Sequence, residues 1–457
     1  MSKFKYYIAL FTAKLSIPAL RITGHKGTDF PGSVALKICP EFLKYIEKPK
    51  QVIGVTGTNG KTTISNLLTE CLYKLGKEVL NNGSGSNTIT GVVTSLIKSS
   101  SLFGRCKYDT AVFEIDERST RLICPHLKID KMIVANLSRD SIMRTGHPQY
   151  VRDILSRFIS PQTELLLNAD DLNASSVSPS NKRLYYGICK MPGDKYESEN
   201  LINDVVICPK CHNKLSFEYI RYSNIGRAIC PSCGFEASKY DFVASEINKD
   251  KMSMTFSANG EEIELPILNK GTFNIYNQVA VVSMLKLLGF SLSRIAEILP
   301  ETGLAKTRYS AEDVNGRKVY TMLCKGLNGY AASRVFEHIK DTDGNKEILL
   351  MTNSLDAEIE WSEDLCWLYD ADFELLNDER VKQIIVHGDR ALDYRVRLLL
   401  AGIPKERITI VKKPEDGIEK LSLFDGDNIY VLYDLDVIER GMNIASKIKE
   451  ACRKVAE

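Results

Sequence analysis

The sequence has little tryptophan, few histidines and no long apolar run. Only 2 of its 457 residues are tryptophan and 6 are histidine. The histidines (His25, His126, His147, His212, His338, His387) form no HxxxH or HxH pair, which argues against a catalytic zinc held by paired imidazoles. The longest apolar run near the start, Tyr6 to Thr12, is far short of the roughly 20 residues that a spanning helix needs. Lys3, Lys5 and Lys14 flank it and no small-residue cleavage site follows, so a secretory signal is not expected. Charge of one sign is also lacking. Lys+Arg is 60 against 58 Asp+Glu, a net charge of +2, which leaves no whole-chain footprint for nucleic acid. A disulfide framework is missing as well. Of 12 cysteines, Cys39, Cys71, Cys106, Cys124, Cys189, Cys324, Cys366 and Cys452 are scattered, a usage that suits a reducing cytoplasm.

What is present reads as a globular chain of several domains, with 44% apolar and 26% charged residues. Residues 51–56 read as a short buried strand. A glycine-rich turn follows, then a helical pattern from Thr62 to Leu75 with its apolar positions on one face. Further strands are expected at Val79-Leu80, Tyr108–Ile115, Lys131–Ala135 and Glu164–Asn168. Strands alternating with helices predict a parallel, doubly wound α/β sheet. Loop chemistry fills 190–204, and residues 204–238 look like an insertion before the α/β pattern resumes near Tyr240. Asp313-Val-Asn-Gly316 is a turn signal between strand-like runs. The expected organisation is therefore 1–312 as a central α/β domain carrying the insertion, and 313–457 as a C-terminal α/β domain. Residues 4–22 predict an amphipathic helix, which either docks on the body or touches a membrane surface or partner.

Three motifs carry chemistry. Gly54-Val-Thr-Gly57-Thr58-Asn59-Gly60-Lys61-Thr62-Thr63 follows a strand and opens a helix. It departs from G-x-x-x-x-G-K-[ST], because Val55 stands at the usual first glycine and Gly57 lies two residues later. The physics is unchanged: backbone N–H groups face phosphate oxygens, Lys61 reaches the β/γ-phosphates, and the Thr62 hydroxyl holds Mg²⁺. A chance glycine-rich turn would not explain strand, loop, Gly-Lys-Thr-Thr and helix in that order. Cys208-Pro-Lys-Cys211 and Cys230-Pro-Ser-Cys233 have the spacing of two zinc knuckles. Four thiolates leave no open position, so a structural Zn²⁺ is expected. Phe113-Glu114-Ile-Asp-Glu117 ends a strand, where Glu114 or Glu117 could hold Mg²⁺ or orient water near a γ-phosphate. Asn274-Ile-Tyr-Asn277 begins a helix, where a cap is the plain alternative. Asp364-Leu-Cys-Trp367-Leu-Tyr-Asp370-Ala-Asp372-Phe is an acidic-aromatic cluster, for which surface carboxylates at a strand end are the plain alternative.

Taken together, these motifs resemble the Mur ligases, which couple ATP hydrolysis to amide-bond formation on peptidoglycan precursors. The loop 54–63, Phe113–Glu117 and Asn274–Asn277 match that family in order. The four-cysteine insertion, the 364–373 cluster and Gly27-Thr-Asp-Phe-Pro-Gly32 narrow the resemblance to the MurT type, the synthetase subunit of lipid II isoglutaminyl synthase. The resemblance implies ATP-dependent amidation of the D-glutamate α-carboxylate of lipid II, with ammonia from a GatD-like glutamine amidotransferase subunit in a heterodimer. It implies ATP at Gly57, Thr58, Asn59, Gly60, Lys61, Thr62, Thr63, Asn274 and Asn277, catalytic roles for Lys61 and Glu114, and Mg²⁺ at Thr62, Glu114 and Glu117. It implies too that Asp364 completes the partner's Cys-His pair, and that a lipid-linked substrate calls for at most peripheral contact at the inner face of the membrane. Some positions depart from the pattern. Met143 and His147 stand where carboxylates are usual, 305–308 lacks a Gly-Arg-x-Glu element, and Lys325 to Gly329 lacks an Asn-Pro pair. A Mur-type ligase with another acceptor or nucleophile, or a non-catalytic ATP-binding paralogue, remains the alternative.

Overall fold

The computed structural model describes residues 2–22, 27–83, 86–139, 146–302, 309–326, 328–352, 365–422, 427–434 and 437–454. The chain divides into two units. The first holds 1–138, 147–198 and 204–304; the second gathers 305–457 with 139–146 and 199–203. The expected boundary at 312/313 lies within a strand, Tyr309–Val314.

The first unit is built on a nine-stranded sheet. Its leading strands are β1 (Gln51–Thr56), β2 (Val79–Asn81), β3 (Thr110–Glu114), β4 (Lys131–Val134), β5 (Glu164–Asn168) and β6 (Arg183–Ile188). After β6 come β7 (Ser216–Tyr222), β8 (Ile225–Cys230) and β9 (Phe235–Glu236), which form a separate three-stranded sheet. Then β10 (Phe242–Asn248), β11 (Ser253–Ala258) and β12 (Glu261–Pro266) return to the large sheet. Its order is β12-β11-β10-β6-β5-β4-β1-β3-β2. The pairs from β2 to β10 are parallel. Their central strands are almost wholly buried, as the apolar runs QVIGVT and TAVFE require between two helical layers.

The expected all-parallel sheet needs a correction at one edge: β10/β11 and β11/β12 are antiparallel. The turns between these strands are too short for a crossover, so the chain reverses. The alternating burial of β11 shows one solvated face, unlike β1 or β3.

The second unit has a six-stranded sheet in the order β13-β14-β18-β15-β16-β17. Its strands are β13 (Tyr309–Val314), β14 (Arg317–Leu323), β15 (Lys346–Met351), β16 (Val381–His387), β17 (Ile408–Val411) and β18 (Asn428–Tyr433). All pairs are parallel except the β13/β14 hairpin. Its two-residue turn is Asn315-Gly316, with φ of +52° and +78°. Both central residues of that turn type need positive φ, and Asn-Gly supplies it most readily.

Candidate nucleotide site and four-cysteine centre

β1 delivers the chain into residues 57–60, and the helix Lys61–Lys74 starts at once. Gly57 and Gly60 take φ of +131° and +86°. Neither tolerates a side chain. A Cβ on Gly60 would stand 2.4 Å from Asn277 Oδ1, and one on Gly57 2.9 Å from the Asn136 carbonyl. The loop is thus gripped from two sides. On one side, Asn277 comes from the helix Thr272–Leu287. On the other, residues just after β4 bind it: Thr58 N–H donates to Asn136 O at 2.8 Å, and Asn59 N–H to Asn136 Oδ1 at 2.9 Å. Asn136 Nδ2 returns a bond to Asn59 O at 2.9 Å, and Ser138 N–H donates to Thr58 Oγ1 at 3.0 Å. These contacts fix the backbone of the loop, and its donors join the positive end of a 14-residue helix.

Lys61 curls back over this loop. Its Nζ donates to Gly57 O at 2.5 Å and pairs with Glu117 Oε1 at 3.0 Å. Both side chains are nearly buried, at 10% and 3% exposure. The expected carboxylate motif divides its labour. Glu117 meets Lys61. Asp116 caps the next turn by accepting from Arg118 N–H and Ser119 N–H. Glu114 lies beside a different pair, with Oε1 accepting from Asn87 Nδ2 at 3.0 Å and its backbone bonded to Asn82. Thr62 and Thr63 are half-buried on the first turn of the helix. The expected Asn pair also divides. Asn277 reaches the loop, while Asn274 Nδ2 donates to Asn269 Oδ1 at 2.9 Å. Asn274 is not the helix cap, because the helix begins at Thr272 with Gly271 before it.

The four cysteines of the insertion converge. Cys208 Sγ and Cys233 Sγ are 3.7 Å apart, Cys211 Sγ and Cys230 Sγ 3.5 Å, and all four lie within 4.8 Å of one another. A tetrahedral ion with metal–sulfur bonds of about 2.3 Å needs sulfurs about 3.8 Å apart. The two knuckles repeat one geometry. His212 N–H donates to Cys208 O, Gly234 N–H donates to Cys230 O, and both donors have positive φ. A backbone N–H from Asn213 holds the Cys211 thiol below its ordinary range, whereas burial pushes its neighbour Cys233 up. The residues fit a metal ion.

Sequence reasoning missed the cluster that ties this ribbon to the sheet. Asp170, fully buried after β5, accepts from Tyr240 Oη and Tyr276 Oη at 2.5 Å each and from Arg221 Nη1 at 3.1 Å. Arg221, on β7 of the ribbon, also bonds Tyr276, pairs with Asp194 at 3.1 Å and donates to Ile188 O and Cys189 O. Burial and then the Asp170 charge push the Tyr240 hydroxyl up, which keeps it a donor. Tyr276 sits on the same helix as Asn277. Its placement between Asn274 and Asn277 was the one sequence signal available.

In the second unit, Asp364 lies outside the described residues, as do Met143 and 305–308. Nearby, Trp367 is a core residue. Asp370 pairs with Arg139 at 3.2 Å, and Asp372 accepts from Asn200 Nδ2 and Leu201 N–H. His147 caps the helix Pro148–Phe158.

A phosphate loop on a parallel sheet, joined to a second α/β unit, defines the Mur ligase fold. Residues 55–206 match the Mur ligase middle domain, and 326–435 match the MurT ligase C-terminal domain. Among solved structures, a pseudomurein peptide ligase type C from Methanothermus fervidus superposes with a TM-score of 0.66 at 19% identity, over 93% of this chain and 85% of that one. MurF from Acinetobacter baumannii gives 0.63 at 14% identity, over 91% and 80%. The lipid II isoglutaminyl synthase (glutamine-hydrolyzing) subunit MurT of Staphylococcus aureus strain COL is 31% identical over 405 residues, 87% of this chain and 89% of that protein. The MurT subunit of Streptococcus pneumoniae R6 is 28% identical over 412 residues, 89% and 90%. The chain belongs to the MurT family of Mur-type ligases.

Proposed function

We propose that this chain is the ATP-using subunit of an amidating ligase that converts the D-glutamate α-carboxylate of lipid II to D-isoglutamine. The observation that carries this reading is the clamped loop 57–60, with Lys61, Glu117 and Asn277 around it, in a chain of the MurT family. A carboxylate is a poor electrophile, so it is activated first. Its oxygen attacks the γ-phosphorus of ATP, ADP leaves, and an acyl phosphate forms. Ammonia then attacks the carbonyl carbon, phosphate leaves, and the nitrogen gives up a proton. Loop N–H groups orient the nucleotide, and Lys61 turns from Glu117 to the phosphates as negative charge gathers there. Thr62, Glu114 and Glu117 offer the hard oxygen donors that suit Mg²⁺. Bound there, Mg²⁺ supplies charge neutralisation of the transferred phosphoryl group. Cys208, Cys211, Cys230 and Cys233 hold a structural Zn²⁺.

The ammonia comes from a GatD-like glutaminase partner, and Asp364 orients the imidazole of that partner's Cys-His pair. Among the described residues no helix is long and apolar enough to cross a membrane. The lipid-linked acceptor itself calls for peripheral contact at the inner membrane face.

The test is ADP release by the chain, copurified with its glutaminase partner, on lipid II with and without glutamine or ammonium. Release that needs both lipid II and a nitrogen source supports the reading. Release that needs an amino acid instead sinks it in favour of an amino-acid-adding ligase. Asp364→Asn should abolish glutamine-dependent release and spare ammonium-dependent release; equal loss of both would remove Asp364 from the partner's site.

A further inference from the structure

The helix Ser2–Ile22 has two apolar faces and uses only one of them on the protein. Tyr6, Ala9, Leu10 and Ala13 are buried. They pack toward Phe42 and the loop at Gly104, where a Cβ would stand 2.1 Å from Tyr6 Oη. Lys14 Nζ fixes the helix further by donating to Ile97 O and Ser100 O. The opposite face carries Phe4, Tyr7, Ile8, Phe11 and Leu15, all exposed, with Phe4 at 73% and Leu15 at 72%. At about 100° per residue these five fall within about 100° of arc. Beside the helix, the loop at Gly104 presents Leu102 and Phe103 at 65% and 69% exposure.

The charge on this helix has one sign. Residues 1–28 contain Lys3, Lys5, Lys14, Arg21 and Lys26 and no Asp or Glu. Lys3 and Lys5 are exposed and project to either side of the stripe, about 100° from its centre. Arg105 and Lys107, both exposed, stand beside Leu102 and Phe103. Glu41 and Glu47 are the acidic neighbours on the following segment, offset by Lys44 and Lys48. An exposed aromatic and aliphatic stripe between lysines is the arrangement of a helix that lies in a bilayer surface, its side chains in the acyl boundary and its ammonium groups at the headgroups.

We infer that the exposed face of the 2–22 helix, with the Leu102-Phe103 tip, docks this chain on an anionic phospholipid surface. The inference deepens the peripheral contact proposed above by naming the surface that makes it. Phosphatidylglycerol headgroups supply the counter-charge for the flanking cations while the acyl boundary takes up the stripe.

The experiment is cosedimentation of the full chain with vesicles of phosphatidylglycerol in phosphatidylcholine that contain no lipid II. Binding is expected on these vesicles, weakened by salt and weaker on pure phosphatidylcholine. Phe11→Glu combined with Leu15→Glu should lower vesicle affinity at least about tenfold. Both side chains are exposed, so the unfolding midpoint should hold, which a parallel melt checks. Phe103→Glu should give a smaller loss in the same direction. Wild type left in the supernatant with both lipids, or the double variant still bound, would overturn the inference. So would a wild-type dimer in light scattering that the double variant dissociates, because the stripe would then be a protein interface. The vesicles lack lipid II, so failure here and failure of the substrate assignment remain distinguishable.

Discussion

Two buried ion pairs in the first unit look alike and are built for opposite purposes. Lys61 and Glu117 meet at 3.0 Å beside the phosphate loop; Arg221 and Asp170 meet at 3.1 Å beneath the ribbon. Both pairs are almost closed to water. The difference lies in their other partners. Lys61 also donates to loop carbonyls at Gly57 and Thr58, at the mouth of the glycine-rich turn. An ammonium group is a rotatable point charge, so a phosphate can take the place of Glu117. Arg221 instead spreads its fork over two carboxylates, a tyrosine and two strand carbonyls. Nothing can be exchanged there without stranding buried charge. On the function proposed above, one pair is a switchable contact and the other a clamp. Burial alone does not tell them apart; the count and rigidity of the donor's partners do.

The comparison breaks first at Lys61. Lys61→Ala should lower ATP-dependent ADP release by at least about 10²-fold, the loss typical of a donor aimed at developing charge. Unchanged turnover would make this pair a clamp as well. Next comes Arg221→Ala, which leaves Asp170 and Asp194 buried without their cation. Urea unfolding should show a loss of about 3–5 kcal/mol, with Arg221→Lys recovering part of it. If stability held and only the KM for ATP rose, the clamp reading would fail. Metal removal tests the ribbon from its other end. A chelator should release zinc stoichiometric with chain and lower the unfolding midpoint, whereas Cys208→Ser should purify with little zinc. An unaltered midpoint would separate the knuckles from the clamp.

The smallest effect belongs to a half-buried pair in the second unit that sets the scale. Arg440 binds Glu415 at 2.8 and 3.0 Å, and its hydrogen bonds bring the carboxyl down to about 2. The folded state then releases this proton more readily than the unfolded chain. Its contribution is full above the ordinary value of 4.5 and is lost as pH falls through about 2. Solvent screens the pair, so Arg440→Ala should cost about 0–1 kcal/mol near neutrality. A loss as large as that of Arg221→Ala would mean that solvent exposure is not what separates the pairs.

What could be read in the sequence was local. Strand, Gly57 to Gly60, Lys61 and helix lie within one stretch, so the loop was legible. So were the two knuckles, because each pair of cysteines is spaced by the turn it makes. Strands such as Lys131–Val134 and Glu164–Asn168 appear where their apolar runs predict them. The antiparallel edge β11–β12 did not show, since alternation there reads as irregular polarity until its partner is known. The Asp170, Arg221 and Tyr276 cluster was invisible for a stronger reason. Arg221 and Tyr276 lie 51 and 106 residues from Asp170, and of the three only Tyr276 falls within a motif. The grip of Asn136 on Asn59 was hidden in the same way, because it depends on β4 lying beside β1.

The ribbon has a further consequence, in the order of assembly. The chain leaves the sheet at Ile188 and re-enters at Phe242, and the strands on either side of this excursion pair directly, Tyr186 with Phe242 and Ile188 with Ala244. Joining them early means closing a long loop, an entropic cost that grows with the length of free chain. The ribbon has its own apolar cluster of Val205, Cys208, Leu215, Ala228 and Cys230 around the thiolates. An ion that tied residues 208–233 together would remove about half of the free chain between β6 and β10. Closure entropy grows only with the logarithm of loop length, so the ion would ease the β6–β10 pairing by under about 1 kcal/mol.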